Sequence, residues 1–219
     1  MTKAGSIKNI IFDLGGVLLN IEPQLTGKAL EEMGVKNMRE VHARLMEAEL
    51  YQRFETGKCS PECFRDEIRR AGGIPLTDEQ VDKAWNALLL DFPANRVDLL
   101  HRLRSNYELY LLSNTNAIHY KSYTGTFRAI HSEEMPDLFV KLFLSFEMGV
   151  RKPDPAIYKM ALRIGNLVPG ETLFIDDSLE NAEEATKAGM AAFHLPDGMD
   201  VTGLFKNGKL RPGAEFLYI

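Results

Sequence analysis

The stretch IIFDLGGVLL, residues 10–19, ends an apolar run on a carboxylate, Asp13, then follows it with two glycines and a second apolar run. Extended back to Ile7, the first run (IKNIIFDL) has the composition of a buried strand with Asp13 at its carboxyl end. A turn after the strand explains Gly15 and Gly16. It does not explain the acid, because an unpaired carboxylate is costly to bury. Asp13 therefore needs a partner or a task.

The texture of the chain changes twice beyond that point. From about Pro23 to Leu90 apolar residues recur at spacings of three and four, as in MREVHARLMEAEL and DEQVDKAWNALLL, and predict helices. Ser60 followed by Pro61 predicts an N-cap with a first-turn proline, and Thr77 with Gln80 a capping box. From Pro93 onward strand and helix signals alternate. ELYLLSN (108–114), KLFLSF (141–146), ETLFIDD (171–177) and MAAFHLP (190–196) read as strands. PAIYKMALRIG (155–165) and SLENAEEATKAGM (178–190) read as helices. Such alternation predicts an α/β fold, a Rossmann-like parallel sheet with helices on both faces. The core is expected over residues 1–20 and 93–219, with 21–92 an all-helical insertion. The tail from Asn207 is expected to add a terminal strand.

Composition narrows the function. The 219 residues are 45% hydrophobic, enough for a sizeable core, and the formal charge of -5 leaves no electrostatic footprint for nucleic acid. No apolar run approaches the ~18 residues of a membrane span. The basic start followed by an apolar stretch imitates a signal peptide, but Asp13 interrupts it, so the segment is expected in the mature protein. Cys59 and Cys63 have no Cys or His partners at zinc-site spacing and are expected as reduced packing residues, which suits a cytoplasmic setting.

Ligands of open parallel sheets bind beyond the carboxyl ends of the strands. Three predicted strand ends carry polar groups: Asp13, Ser113-Asn114 and Asp176-Asp177. One such acid is usually a turn residue or a helix cap, and either Asp177 or Ser178 suits the N-cap of the helix that follows. Three converging ends point to a site. Adjacent acids beside a third repel one another, and a divalent cation relieves the repulsion, an arrangement suited to handling phosphate.

FDLGGV, LLSNTN, RKPDPAIY and FIDDSLENAEEA resemble, in order and spacing, the four motifs of the haloacid dehalogenase (HAD) superfamily, and the insertion sits where that superfamily carries a helical cap. FETGKCSPECF, SNTNAIH and GVRKP look most like the branch of α-glucose-1-phosphate phosphatases and the amino-terminal domains of epoxide hydrolases. The resemblance implies a magnesium-dependent phosphatase of small phosphorylated metabolites, a sugar phosphate such as glucose-1-phosphate among them. Asp13 would be the nucleophile that forms an aspartyl-phosphate. Ser113 would hydrogen-bond the phosphoryl oxygens and Lys152 would neutralise their charge, although a lysine beside proline in a loop is by itself more often simply solvated. Asp13, Asp177, the Gly15 carbonyl and the adjacent Asp176 would hold Mg2+. Asn114, Asn116 and Glu22 are further candidates near the substrate, with His119 at the entrance and Asn181 capping or packing its helix. Tyr51, Phe54 and Trp85 have the spacing of cap core residues, with sugar stacking as their alternative.

One departure matters. Most phosphatases of the superfamily carry a second Asp two residues after the nucleophile, as acid and base. Gly15 stands there. Glu22 is the candidate substitute, against the plainer reading of an exposed linker acid. A dehalogenase of the same fold is disfavoured by the Asp176-Asp177 pair, and a non-catalytic phosphometabolite-binding module by retention of the whole motif set.

Overall fold

The computed structural model of the chain describes residues 7–211. Its centre is a five-stranded, all-parallel sheet of β1 (Asn9–Phe12), β2 (Glu108–Ser113), β3 (Lys141–Leu144), β4 (Thr172–Asp176) and β5 (Ala191–His194), in the order β3-β2-β1-β4-β5. Each strand is short and nearly continuous in apolar residues because both faces are covered. Successive side chains go to opposite faces. Ile10, Phe12, Leu109, Leu111, Leu173 and Ile175 join one core cluster, whereas Ile11, Tyr110, Leu112 and Phe174 join the other.

Five helices, α1 (Gln24–Glu32), α2 (Met38–Glu47), α3 (Leu50–Glu55), α4 (Pro61–Gly72) and α5 (Asp78–Asn86), lie between β1 and the rest of the core. They enclose a separate apolar cluster that includes Leu30, Val41, Leu45, Phe54, Phe64 and Ile68. This is the helical cap. Its two connections run side by side: Asn20 N donates to Asp91 O, Leu90 N to Asn20 O and Glu22 N to Leu88 O, each at 2.9 Å. Ser60 Oγ accepts from Cys63 N before Pro61, and Thr77 with Gln80 forms a complete capping box. Helices α6 (Ala94–Leu103) and α7 (Ala117–His131) cover the first sheet face. After the short α8 (Ser145–Met148), α9 (Pro155–Gly165) and α10 (Leu179–Lys187) cover the other.

Three boundaries differ from the sequence reading. The apolar pattern over 38–50 belongs to two helices, because Glu49 takes a left-handed conformation (φ 49°) and turns the chain. KLFLSF stops being a strand at Leu144, where Ser145 opens α8 and its Oγ is held by Thr115 N (2.9 Å) while donating to Thr115 O (3.0 Å). The tail forms a two-strand hairpin, β6 (Phe205–Lys206) with β7 (Lys209–Leu210), around Asn207 and Gly208, and does not join the main sheet; residues 212–219 lie outside those described. Among the described residues no helix is long and apolar enough to cross a membrane.

Candidate active site

The strand order reverses between β1 and β4, and the polar ends of both open there. Phe12 pairs with Ile175, and Asp13 N donates to Ile175 O at 2.9 Å, so Asp13 stands level with Asp176 one step further on. Between them lies Lys152. Its Nζ is 2.8 Å from Asp13 Oδ1 and 2.6 Å from Asp176 Oδ2, and the lysine is 1% exposed. The ammonium also sits 5.4 Å from the centre of the Phe174 ring. Asp176 is fixed at its other oxygen, where Oδ1 accepts from Ser178 N (2.8 Å) and Asn181 Nδ2 (3.0 Å). Asp177 completes the group. One oxygen from each of Asp13, Asp176 and Asp177 can be chosen so that all lie within 4.8 Å of one another.

Charge makes this cluster incomplete. Three carboxylates against one ammonium leave an excess of two negative charges when all are ionised. Burial pushes Asp13 up to about 7, against the pull of Lys152 and with added repulsion from Asp176. Asp177 is raised for the same first reason, burial, and then by Asp176. Burial works against the charge on Lys152, yet Asp13 and Asp176 together outweigh it and raise its pKa. A hard divalent cation held by these carboxylates would match both the charge and the donor type.

Lys152 reaches this position because its backbone is clamped. Its N–H donates to Asn114 Oδ1 (2.8 Å), and its carbonyl accepts from Asn114 Nδ2 (2.9 Å). Ser113, 3% exposed, ends β2 beside that clamp. Gly16 (φ 76°) passes so close to Asp177 that a Cβ there would collide with the carboxylate. Gly15 is looser: an added Cβ would meet Ile21 Cδ1 at 3.0 Å.

The other candidates sit elsewhere. Asn116 is buried at the N-cap of α7, where Oδ1 accepts from His119 N (3.0 Å) and Trp85 Nε1 (3.3 Å). Its Nδ2 lies 3.1 Å from His119 Nδ1, and His119 Nε2 3.1 Å from Trp85 O, so the pair ties the cap to the core. Glu22 is exposed and accepts from Gln24 N at 3.3 Å. Ser178 is the N-cap of α10. Phe54 is buried and stacked on Phe64, whereas Tyr51 and Trp85 stack on each other at 5.5 Å and line a cavity in the cap. Sequence reasoning missed the pairing of Glu55 with Arg151 (3.1 Å), which crosses from α3 to the loop carrying Lys152. Its one available signal was Arg151 preceding Lys152.

A doubly covered parallel sheet with this acid–lysine–acid group at its switch point, and a helical insertion after the first strand, defines a hydrolase of the HAD type. Residues 7–189 match the family model of the haloacid dehalogenase-like hydrolases, and the chain belongs to that family. It is 30% identical over 194 residues to D-ribitol-5-phosphate phosphatase of Bacteroides thetaiotaomicron, covering 89% of this chain and 94% of that one. It is 29% identical to a sesquiterpene phosphatase of Aspergillus oryzae, covering 89% and 92%. Among solved structures, a HAD-family enzyme of Bacteroides thetaiotaomicron in complex with magnesium and inorganic phosphate is similar at TM-score 0.86 and 37% identity, covering 92% of this chain and all of that one.

Proposed function

We propose that this chain is a magnesium-dependent phosphatase that hydrolyses a small phosphomonoester through an aspartyl-phosphate. The observation that carries the reading is the buried Lys152 bridging Asp13 and Asp176, with Asp177 alongside. A carboxylate of Asp13 attacks phosphorus as the bond to the leaving oxygen breaks, and water then hydrolyses the acyl-phosphate. Lys152 and the Ser113 hydroxyl stabilise the negative oxygens in transit. Asp13, Asp177 and the Gly15 carbonyl would hold the magnesium, with Asp176 behind them, and the ion would supply charge neutralisation for the phosphoryl group. Asn114 holds Lys152 in position, and the insertion over 21–92 serves as the lid of a core formed by 1–20 and 93–219.

Gly15 bears on substrate choice. With no acid at that position the leaving oxygen departs with little proton assistance, which favours anomeric sugar phosphates such as glucose-1-phosphate, acyl phosphates and aryl phosphates. The similar proteins act on a polyol phosphate and on a sesquiterpene phosphate, so they support the reaction type more than any one substrate. The Asp176-Asp177 pair speaks against dehalogenation, which needs no metal.

The test is phosphate release from a panel of phosphomonoesters with magnesium and then with chelator. Activity is expected only with the metal, and Asp13→Asn should abolish it while leaving the circular dichroism spectrum unchanged, since an amide cannot form the phosphoenzyme. A folded Asp13→Asn protein with near-normal turnover would remove Asp13 as nucleophile.

A further inference from the structure

We infer that Cys59 and Cys63 form a dithiol–disulfide redox site in the cap, at which Cys63 exchanges with a small-molecule disulfide of the glutathione type and Cys59 then closes an internal disulfide. These two are the only cysteines of the chain. Cys59 is 4% exposed and packs in the cap cluster, as expected, whereas Cys63 is only partly buried at the edge of that cluster. Their sulfurs face each other. Cys59 donates its S–H to Cys63 Sγ at 2.6 Å, within about 0.6 Å of the ~2.0 Å length of a disulfide bond. The start of α4 holds them there: Ser60, the N-cap, lies between them in sequence, its Oγ accepts from Cys63 N at 3.2 Å and its carbonyl from Phe64 N at 2.8 Å.

The surroundings of the two thiols assign their roles. Cys63 is the one that a reagent in solution can reach, and its sulfur also accepts from Arg53 Nη2 at 4.0 Å. Cys59 keeps its proton while Cys63 is free: burial first, then the hydrogen bond to Cys63 and its charge, push Cys59 up to about 12. Capping Cys63 in a mixed disulfide removes both of its contributions. Cys59 then gives up its proton more readily, and it does so beside an electrophilic sulfur.

The step balances as thiol–disulfide exchange. The Cys63 thiolate attacks one sulfur of the small disulfide, that S–S bond breaks, and a small thiolate leaves with the electron pair and takes up the proton that Cys63 gave. The Cys59 thiolate then attacks Cys63 Sγ, and a second small thiolate leaves and takes up the proton of Cys59. Two cysteine thiols are oxidised and one small disulfide is reduced to two thiols. Just before the site the chain rests on the core: Glu55 pairs with Arg151 at 3.1 Å, and a Cβ on Gly57 would collide with Phe146 O. The disulfide therefore staples the corner by which α3 and α4 meet the core, while neither cysteine belongs to the acid–lysine group.

The experiment treats the reduced, folded full chain with oxidised glutathione, quenches with iodoacetamide and determines the mass of the intact protein. The wild type should lose both alkylatable thiols and two hydrogens, retain no glutathione, and recover both thiols in dithiothreitol. Cys59→Ala should stop at one glutathione on Cys63. Cys63→Ala should leave Cys59 unmodified, because the oxidant cannot reach a sulfur buried in the cap cluster. A folded wild type that keeps both thiols, that accumulates the glutathione adduct without closing, or that links two chains through Cys63 would overturn the site. So would a folded Cys63→Ala protein whose Cys59 reacts as fast as in the wild type. The wild-type arm needs no substitution, so the inference is decided even where Cys59→Ala does not fold.

Discussion

The two glycines after Asp13 differ in what a side chain would meet. A Cβ on Gly16 would strike the Asp177 carboxylate in a backbone conformation that disfavours any L side chain, so this glycine is what brings the β1 turn against the acid after β4. A Cβ on Gly15 meets only the end of Ile21, which can rotate away. Gly15→Asp is therefore sterically feasible, and it tests whether proton transfer to the leaving oxygen limits the rate. It should raise kcat/KM on glucose-6-phosphate, a primary-alcohol ester, at least about tenfold more than on glucose-1-phosphate, out of the ~10²–10⁴ that a placed acid contributes. Magnesium affinity is measured alongside, because the new carboxylate adds to an acidic cluster. Equal acceleration of both esters, or none in a folded protein, would shift the acid role to another group. The acids of the site were legible in the sequence because each follows an apolar run that ends at a strand terminus. Lys152 was legible only through the family resemblance. The contacts of Asn116 were not legible, since its partner Trp85 lies 31 residues away across the cap boundary.

Between elements, the key junction is the end of β2 against the loop before α9. Asn114 donates to and accepts from the backbone of one residue, Lys152, and so fixes where the lysine side chain starts. Asn114→Ala should lower kcat by about 10²-fold, the scale of a small misplacement in the reacting geometry, with a native-like melting curve. Asn114→Asp keeps the acceptor and loses the donor, and should fall between the two. A variant whose kcat matches wild type would show that Lys152 is positioned by its carboxylate partners alone. The element pattern itself was largely readable: alternating strands and helices gave the sheet, and period-three-and-four spacing gave the cap. What escaped was where elements stop. The left-handed turn at Glu49 uses no glycine, and the end of β3 depends on Ser145 bonding to Thr115, thirty residues distant, so neither leaves a local mark.

At the scale of the whole molecule, a buried histidine lies at the junction of cap and core, and this gives the fold a pH dependence. His119 Nε2 donates to Trp85 O, so the ring accepts at Nδ1 from Asn116 Nδ2. A proton added at Nδ1 would face the N–H of that amide, whose oxygen is already engaged by His119 N and the Trp85 indole. Burial therefore pushes His119 down to about 4 from its ordinary 6.5. The unfolded chain then binds this proton more readily than the fold between those two values. Stability from this residue is complete above pH 6.5, falls as the pH drops, and levels off below about 4. At pH 5 the loss is about 2 kcal/mol. Asp13, pushed up to about 7 by burial, contributes a slope of opposite sign, but it does so equally in wild type and in a His119 variant. The informative quantity is thus the difference in urea-unfolding free energy between wild type and His119→Gln, followed from pH 7.5 to 4.5. The glutamine side chain has no proton to gain, so the advantage of the wild type at neutral pH should shrink steadily below pH 6.5. A difference that stays constant across that window would mean that His119 titrates alike in the folded and unfolded chain, and that the Trp85–His119–Asn116 junction is open to water.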